Sequence, residues 1–230
     1  MNIQDSARKS SDKILTIKRA SILELQPEDA GQILQKMAGV NVKSYGGLGG
    51  LKNISVRSLG SQHTSIVVDG FALSNTQTGQ INLGQIQAEN IEAIYLVTGA
   101  QKSFLVPASA QVSGSSLFIE TFENSFSTEK HKVRFSSKAG SFGQFYHYLA
   151  YKFSLKKMYV SVFGKYRIAD GNYRYSFQNG NTLYEGVREN NRYEDIYGGI
   201  SFGWRLKNGL LQMNVRTEAS DQELPGAVIL

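Results

Sequence analysis

The chain has 230 residues, a formal net charge of +6 and no cysteine. It can therefore form no disulfide framework or thiolate metal site, and it has no cysteine nucleophile. Its start, MNIQDSARKSSDKIL, lacks the apolar core of a signal peptide, and no run approaches the ~18 apolar residues of a membrane-spanning helix. Residues 1–122 hold ten basic and nine acidic side chains, whereas the remainder holds fifteen and ten. Nineteen of the twenty-five Phe, Tyr and Trp also lie after residue 122. A boundary between two domains is therefore expected near Thr121-Phe122. Basic residues are interspersed with acids and form no continuous tract, so a nucleic-acid partner is not expected.

The first half reads as a small mixed α/β domain. KILTIKRA (Lys13–Ala20) predicts a strand. PEDAGQILQKMAGV (Pro27–Val40) predicts a helix, with Pro27 in the first turn and Glu28 and Asp29 at the positive end of the dipole. Ile33, Leu34 and Met37 line one face, and Gly39 permits a left-handed stop. VNVK (Val40–Lys43) then runs out as a strand, and the glycine-rich SYGGLGGLKN (Ser44–Asn53) reads as a loop. A phosphate loop needs a helix N-terminus after it, but here the strand ISVRS follows. SIVVDG (Ser65–Gly70) is a second strand, closed by Asp69-Gly70. A polar loop comes next, then a helix-like turn at QAENIEAI, the strand AIYLVTG (Ala93–Gly99), and SGSSLFIET (Ser113–Thr121).

The second half alternates apolar and polar residues over runs as long as the ~9–11 residues of a transmembrane barrel strand. HKVRFSSKA sets Val133, Phe135 and Ala139 against Lys132, Arg134 and Lys138. QFYHYLAYKFS sets Phe145, Leu149, Tyr151 and Phe153 against Gln144, Tyr148 and Lys152, with His147 on the apolar face. KMYVSVFGKYR, DIYGGISFGWRL and LLQMNVRTE keep the same rule. The connections are short at SLKK and KNG and long over Ala169–Glu194. The apolar faces are rich in aromatics, which suits lipid and its interfaces better than a soluble sandwich. Five strands cannot close a barrel. The chain is therefore expected to be the N-terminal part of a longer protein whose beginning is also incomplete.

The ordered pieces of the first half are a helix with MAGVNV, a glycine loop, ISVR, IVVDG, NIEAIYLVTG, and a small-residue stretch ending in LFI. This order resembles the plug domain of TonB-dependent outer-membrane receptors, and within that family the vitamin B12-type receptors. The resemblance covers roughly residues 14–122. The chain departs from the family pattern at Ser58, where glycine is usual, at Thr98, where an arginine is expected, and at Pro107–Ser116.

The resemblance implies an α+β plug domain (14–122) after an N-terminal extension (1–13). The start of an antiparallel transmembrane β-barrel follows (123–230), in the outer membrane of a Gram-negative cell. Its implied partners are TonB, which couples the receptor to the inner-membrane proton gradient, membrane lipid, and a small-molecule nutrient such as a corrinoid, siderophore or glycan. It places ligand contacts on the loops Ser44–Asn53 and Phe71–Asn82, through Tyr45, Asn75, Gln77, Thr78 and Gln80. It makes Arg57 and Asp69 plug–barrel interface residues. No cofactor or catalytic residue is implied. His63, His131 and His147 lack ligand spacing, and the acids of YEDIY and DQE read as solvated loop charge rather than a calcium site. The alternative is an adhesin or assembly barrel without import activity.

Overall fold

The computed structural model describes residues 14–46, 49–75, 80–99, 106–122, 124 and 126–224. The chain divides into two units, residues 1–125 and 126–230.

In the first unit, β1 (Ile14–Lys18) leads directly into helix α1 (Arg19–Leu25). The strand expected over Lys13–Ala20 thus ends at Lys18, and Arg19 and Ala20 open the helix. At the switch, the Arg19 guanidinium donates to the carbonyls of Ala88 at 2.8 Å and Ile91 at 3.2 Å. Helix α2 spans only Ala30–Leu34, a single turn and a half rather than the helix expected from Pro27 to Val40. Asp29 is its N-cap, accepting from the Gln32 amide at 3.0 Å, so Pro27 lies outside the helix. β2 (Val40–Tyr45) and β3 (Leu51–Val56) form a separate antiparallel hairpin. Part of the glycine-rich stretch read as loop is therefore strand at both ends.

β4 (Thr64–Val68), β5 (Phe71–Ala72), β6 (Ile91–Thr98) and β7 (Ser115–Thr121) join β1 in one sheet of order β1-β6-β7-β4-β5. Only the β4–β7 pair is parallel. The central strands are buried on both faces, hence their nearly continuous apolar runs. Ile66, Val68, Ile94, Leu96, Leu117 and Ile119 pack with Ile33, Leu34, Ile54 and Val56 on one side. Val67, Tyr95, Val97 and Phe118 meet Val106 and Ala110 on the other. Ala110 belongs to a short helix, α3 (Ala108–Val112), within the stretch that departs from the family pattern.

The second unit is an open antiparallel sheet. Its strands are β8 (His131–Gly140), β9 (Gln144–Ser154), β10 (Met158–Ala169), β13 (Tyr193–Arg205) and β14 (Leu210–Gln222). They run in the order β14-β13-β10-β9-β8. The long connection after β10 is not irregular: β11 (Tyr173–Asn179) and β12 (Thr182–Arg188) pair as a two-stranded hairpin. Cross-strand aromatic pairs support it, with Phe177 stacked on Tyr184 at 5.3 Å. Across the sheets, Tyr159 lies over Gly203, Phe163 over Gly199 and Tyr175 over Gly186. A ring fills the space that each missing side chain leaves.

The two faces differ as the alternation requires. Phe135, Leu149, Val162, Ile196, Ile200 and Met213 are exposed. Tyr148, Lys152, Ser161, Lys165, Arg167 and Asp195, at the intervening positions, are buried. His147 lies on the exposed face, its Nδ1 3.1 Å from the Ser137 hydroxyl.

Candidate functional site

The two loops expected to carry ligand contacts arise next to each other, because both are tied to β3. Tyr45 and Leu51 are the last pair of the β2–β3 hairpin, and Tyr45 is exposed. The second loop returns from Asn75, which is also exposed, to Gln80. There the Asn53 side-chain amide donates to the Gln80 side-chain oxygen Oε1 at 2.5 Å. Two residues on, the Asn82 side-chain oxygen accepts from the Lys52 amide at 2.9 Å and the Gly84 amide at 3.0 Å. Gln77 and Thr78 lie outside the described residues. The structure thus brings Tyr45 and Gln80 to one end of β3.

Residues that the sequence did not single out hold this junction. The Lys52 ammonium forms an ion pair with Asp29, the residue that caps α2. Its stem passes between two glycines. A Cβ on Gly31 would stand 3.1 Å from Lys52 Cδ, and one on Gly84 3.6 Å from the same atom. The segment after Gly84 continues onto α2, where the Ala30 amide donates to the Ile86 carbonyl at 2.8 Å. The base of the second loop is therefore clamped to a strand on one side and a helix on the other.

Arg57 does not lie within a strand as expected. β3 ends at Val56, and Arg57 and Ser58 form a two-residue turn with φ of 50° and 63°, closed by the Leu59 amide on the Val56 carbonyl at 3.0 Å. Ser58 thus occupies a left-handed conformation that glycine adopts freely. The Arg57 side chain is exposed. With Leu15, Ala38, Gly39, Val56, Leu96 and Thr98 it lines a cavity of about 250 Å³, at the opposite end of the hairpin from Tyr45.

Asp69-Gly70 is a second two-residue turn, with φ of 53° and 88°, joining β4 to β5. The Asp69 carboxylate works within the first unit. It accepts from the Thr121 backbone amide and hydroxyl, each at 2.8 Å, and from the Asn124 side-chain Nδ2 at 2.6 Å. Nearby, the Tyr95 hydroxyl donates to Glu120 at 3.2 Å. Burial raises the Glu120 carboxyl above its ordinary range, with Asp69 and Glu92 adding to the shift and the tyrosine opposing it.

In the second unit the buried face holds a charge cluster. Arg167 donates through Nε to Asp195 at 2.6 Å and through Nη2 to the Tyr193 hydroxyl at 3.1 Å. Lys165 pairs with the other oxygen of Asp195. Arg167 and Asp195 are register partners on β10 and β13, so the pair fixes which residues face each other. Among the described residues no group of His, Asp and Glu is arranged to hold a metal ion.

Residues 6–111 match the family model of the TonB-dependent receptor plug domain. The first unit is similar to the plug domain of the TonB-dependent receptors. The vitamin B12 transporter BtuB of Vibrio vulnificus is 37% identical over 86 residues, which is 37% of this chain and 14% of that protein. BtuB of Vibrio cholerae is 29% identical over 87 residues, 38% of this chain and 14% of that one. The fold of the copper transporter OprC superimposes with a TM-score of 0.64 at 16% identity, covering 91% of this chain and 30% of OprC. The ferric yersiniabactin uptake receptor FyuA from Yersinia pestis gives 0.64 at 16% identity, covering 94% and 32%. The chain thus spans about a third of the length of these solved receptors and matches a smaller share of the curated relatives. Its described residues fold as a plug domain followed by an open antiparallel sheet, as in these solved receptors.

Proposed function

We propose that this receptor imports a scarce nutrient across the outer membrane, with energy supplied through TonB. Residues 14–122 act as the plug, 1–13 as an extension before it, and 123–230 as the first barrel strands. The observation that carries this reading is a plug fold followed in the same chain by a sheet with one apolar, exposed face. Such a face suits lipid, whereas the polar face suits a filled or watery interior. The turns Leu155–Lys157 and Leu206–Gly209 then face the periplasm, and the β11–β12 hairpin faces outward.

Ligand contact falls to Tyr45, Asn75, Gln77, Thr78 and Gln80. Tyr45 offers a ring for stacking and the others neutral hydrogen bonds. This set suits a neutral, polar, bulky ligand such as a corrinoid or glycan better than a highly charged siderophore. The anchoring of Gln80 and Asn82 to β3 supports a site with one firm edge. Binding needs no energy input; release into the periplasm does, and TonB acting on the plug supplies it.

Paired equilibrium-binding and uptake assays in the full-length receptor test the reading. Loss of TonB is expected to abolish uptake and leave binding intact, and uptake that persists without TonB refutes energised import. Gln77→Ala is expected to weaken binding by roughly three- to tenfold, the loss of one neutral hydrogen bond. Unchanged affinity for every corrinoid and glycan tested refutes the loop assignment.

A further inference from the structure

We propose that the turn-bearing end of the β8–β14 sheet is a recognition site for anionic phospholipid headgroups, an inference that rests on the transmembrane reading above. Backbone bonds make this end one continuous rim. The Ser154 amide donates to Lys130 O at 2.8 Å, Leu155 to Met158 O at 2.7 Å, and Arg205 to Lys157 O at 2.7 Å. Along it stand Lys130, Lys156, Lys157, Arg205 and Lys207, against the single acid Glu129. The opposite ends of the same strands carry Asp170, Glu194, Asp221 and Glu223 alongside Lys138 and Arg192. The sheet is therefore polarised along its strands, with cations at one end and mostly acids at the other.

The cations at the rim are free to meet a ligand. Lys130, Lys156, Lys157 and Lys207 are exposed, and none forms an ion pair among the described residues. Arg205 is different, since its guanidinium lies 4.4 Å from the Phe126 ring. Directly beside the lysines the lipid-facing surface becomes amphipathic. Lys130 and His131 lie 5.7 Å and 5.3 Å from the Phe153 ring, and His131 Nδ1 is 2.8 Å from the Tyr151 hydroxyl. Trp204, Leu155 and Leu206 are exposed at the same level. Aromatic rings place this level at the membrane–water interface, where lysine stems can lie along apolar surface while their ammonium groups reach the headgroups. Adjacent strands are ~4.8 Å apart, so lysines on three neighbouring connections can surround one or two phosphodiesters. Charge complementarity selects an anionic lipid such as phosphatidylglycerol over a zwitterionic one.

The test uses the full-length receptor in detergent. Retention of phosphatidylglycerol and of phosphatidylcholine with matched acyl chains is compared by native mass spectrometry. The parent is expected to prefer phosphatidylglycerol. Lys156→Gln/Lys157→Gln/Lys207→Gln is expected to lower that preference by ~10-fold or more, since each lysine near an anionic surface contributes about fivefold. The corresponding triple change to Arg is expected to keep it, as is Arg174→Gln on the outward hairpin. Heat-modifiable mobility shows that each variant is folded. Equal retention of both lipids by a parent that inserts into bilayers overturns the rim alone, whereas a parent that fails to insert overturns the transmembrane reading beneath it. Undiminished preference in the Gln variant also overturns the rim site. So does competition by inorganic phosphate without any lipid preference, or loss of TonB contact in the Gln variant with lipid retention unchanged.

Discussion

Replacing Asn82 with alanine tests whether the base of the second loop is held as the geometry indicates. One side-chain oxygen accepts both the Lys52 amide at 2.9 Å and the Gly84 amide at 3.0 Å. Each neutral hydrogen bond contributes ~0.5–1.5 kcal/mol net, so losing two costs ~1–3 kcal/mol. Asn82, Lys52 and Gly84 are all half-buried, so water partly replaces the lost acceptor and ~1–2 kcal/mol is expected. An opening easier by that amount raises the population of the open state by roughly 5- to 30-fold. Hydrogen exchange on the receptor should therefore show the Lys52 and Gly84 amides exchanging faster by about that factor. The Ile94 amide, in the centre of the sheet, should not change. Asn82→Asp retains an acceptor of the same shape and should restore both amides. If Lys52 and Gly84 keep their parental protection in the alanine variant, or if aspartate fails to restore it, Asn82 is not the clamp and the firm edge of the ligand site loses its basis.

Three further outcomes follow from the same kind of reasoning. Asp69→Ala removes the acceptor of three hydrogen bonds and leaves an alanine at a φ of 53°. Its cost is about 2–4 kcal/mol. Asp69→Asn, which tolerates that conformation and keeps one acceptor, should cost less; equal urea midpoints for the two variants would refute this ranking. Asp195→Ala strands the buried Lys165 and Arg167 without their shared carboxylate. It should cost about 3–5 kcal/mol and depress the fraction of heat-modifiable folded receptor, and wild-type folding yield would show that the cluster is dispensable. Glu120 holds its proton to higher pH in the folded plug than its ordinary value of 4.5 allows in the unfolded chain. The folded state therefore binds more protons over the window just above 4.5, and stability falls as pH rises through it. Glu120→Gln should accordingly be more stable than the parent at pH 7 and equal to it below that window, as read from urea unfolding; a parent more stable at neutral pH would reverse the sign.

The strands of the second unit were legible because a side-chain period of two leaves little freedom. Once Phe135 and Leu149 need an apolar surrounding, Arg134 and Tyr148 must face the other way. The sequence carries that constraint over every strand, so β9 runs Gln144–Ser154 just as its alternation implies. The hairpin β11–β12 was not legible. Its first strand alternates Tyr173, Tyr175 and Phe177 against Arg174, Ser176 and Gln178, but the second sets Leu183 and Val187 beside Glu185 and Tyr184 beside Thr182 and Arg188, and the stacking between Phe177 and Tyr184 emerges only from the cross-strand register. The clamp at β3 was hidden for another reason. Lys52 and Asp29 are 23 residues apart, and their meeting requires that Gly31 and Gly84, on two other segments, leave room for one lysine stem. In a sequence each of those four residues has a local explanation, as a cap, a loop glycine or a solvated charge.

The turn at Arg57 shows how a departure from the family pattern acquires a physical meaning only in three dimensions. Ser58 and Thr98, two of the positions where the chain departs from the family pattern, are forty residues apart in sequence. The structure places Thr98 on the wall of the same 250 Å³ cavity as Arg57. An arginine at 98 would set a second guanidinium beside the first, and like charges at short range in a partly enclosed space are mutually destabilising. With threonine there, Arg57 is the single cation among the described residues that line that cavity, and its side chain is exposed. The serine at 58 acts on the same group from the other direction. Held at a φ of 63° without glycine's freedom, it makes the turn less able to change conformation than a glycine would. The two substitutions together leave a lone arginine on a stiffened turn.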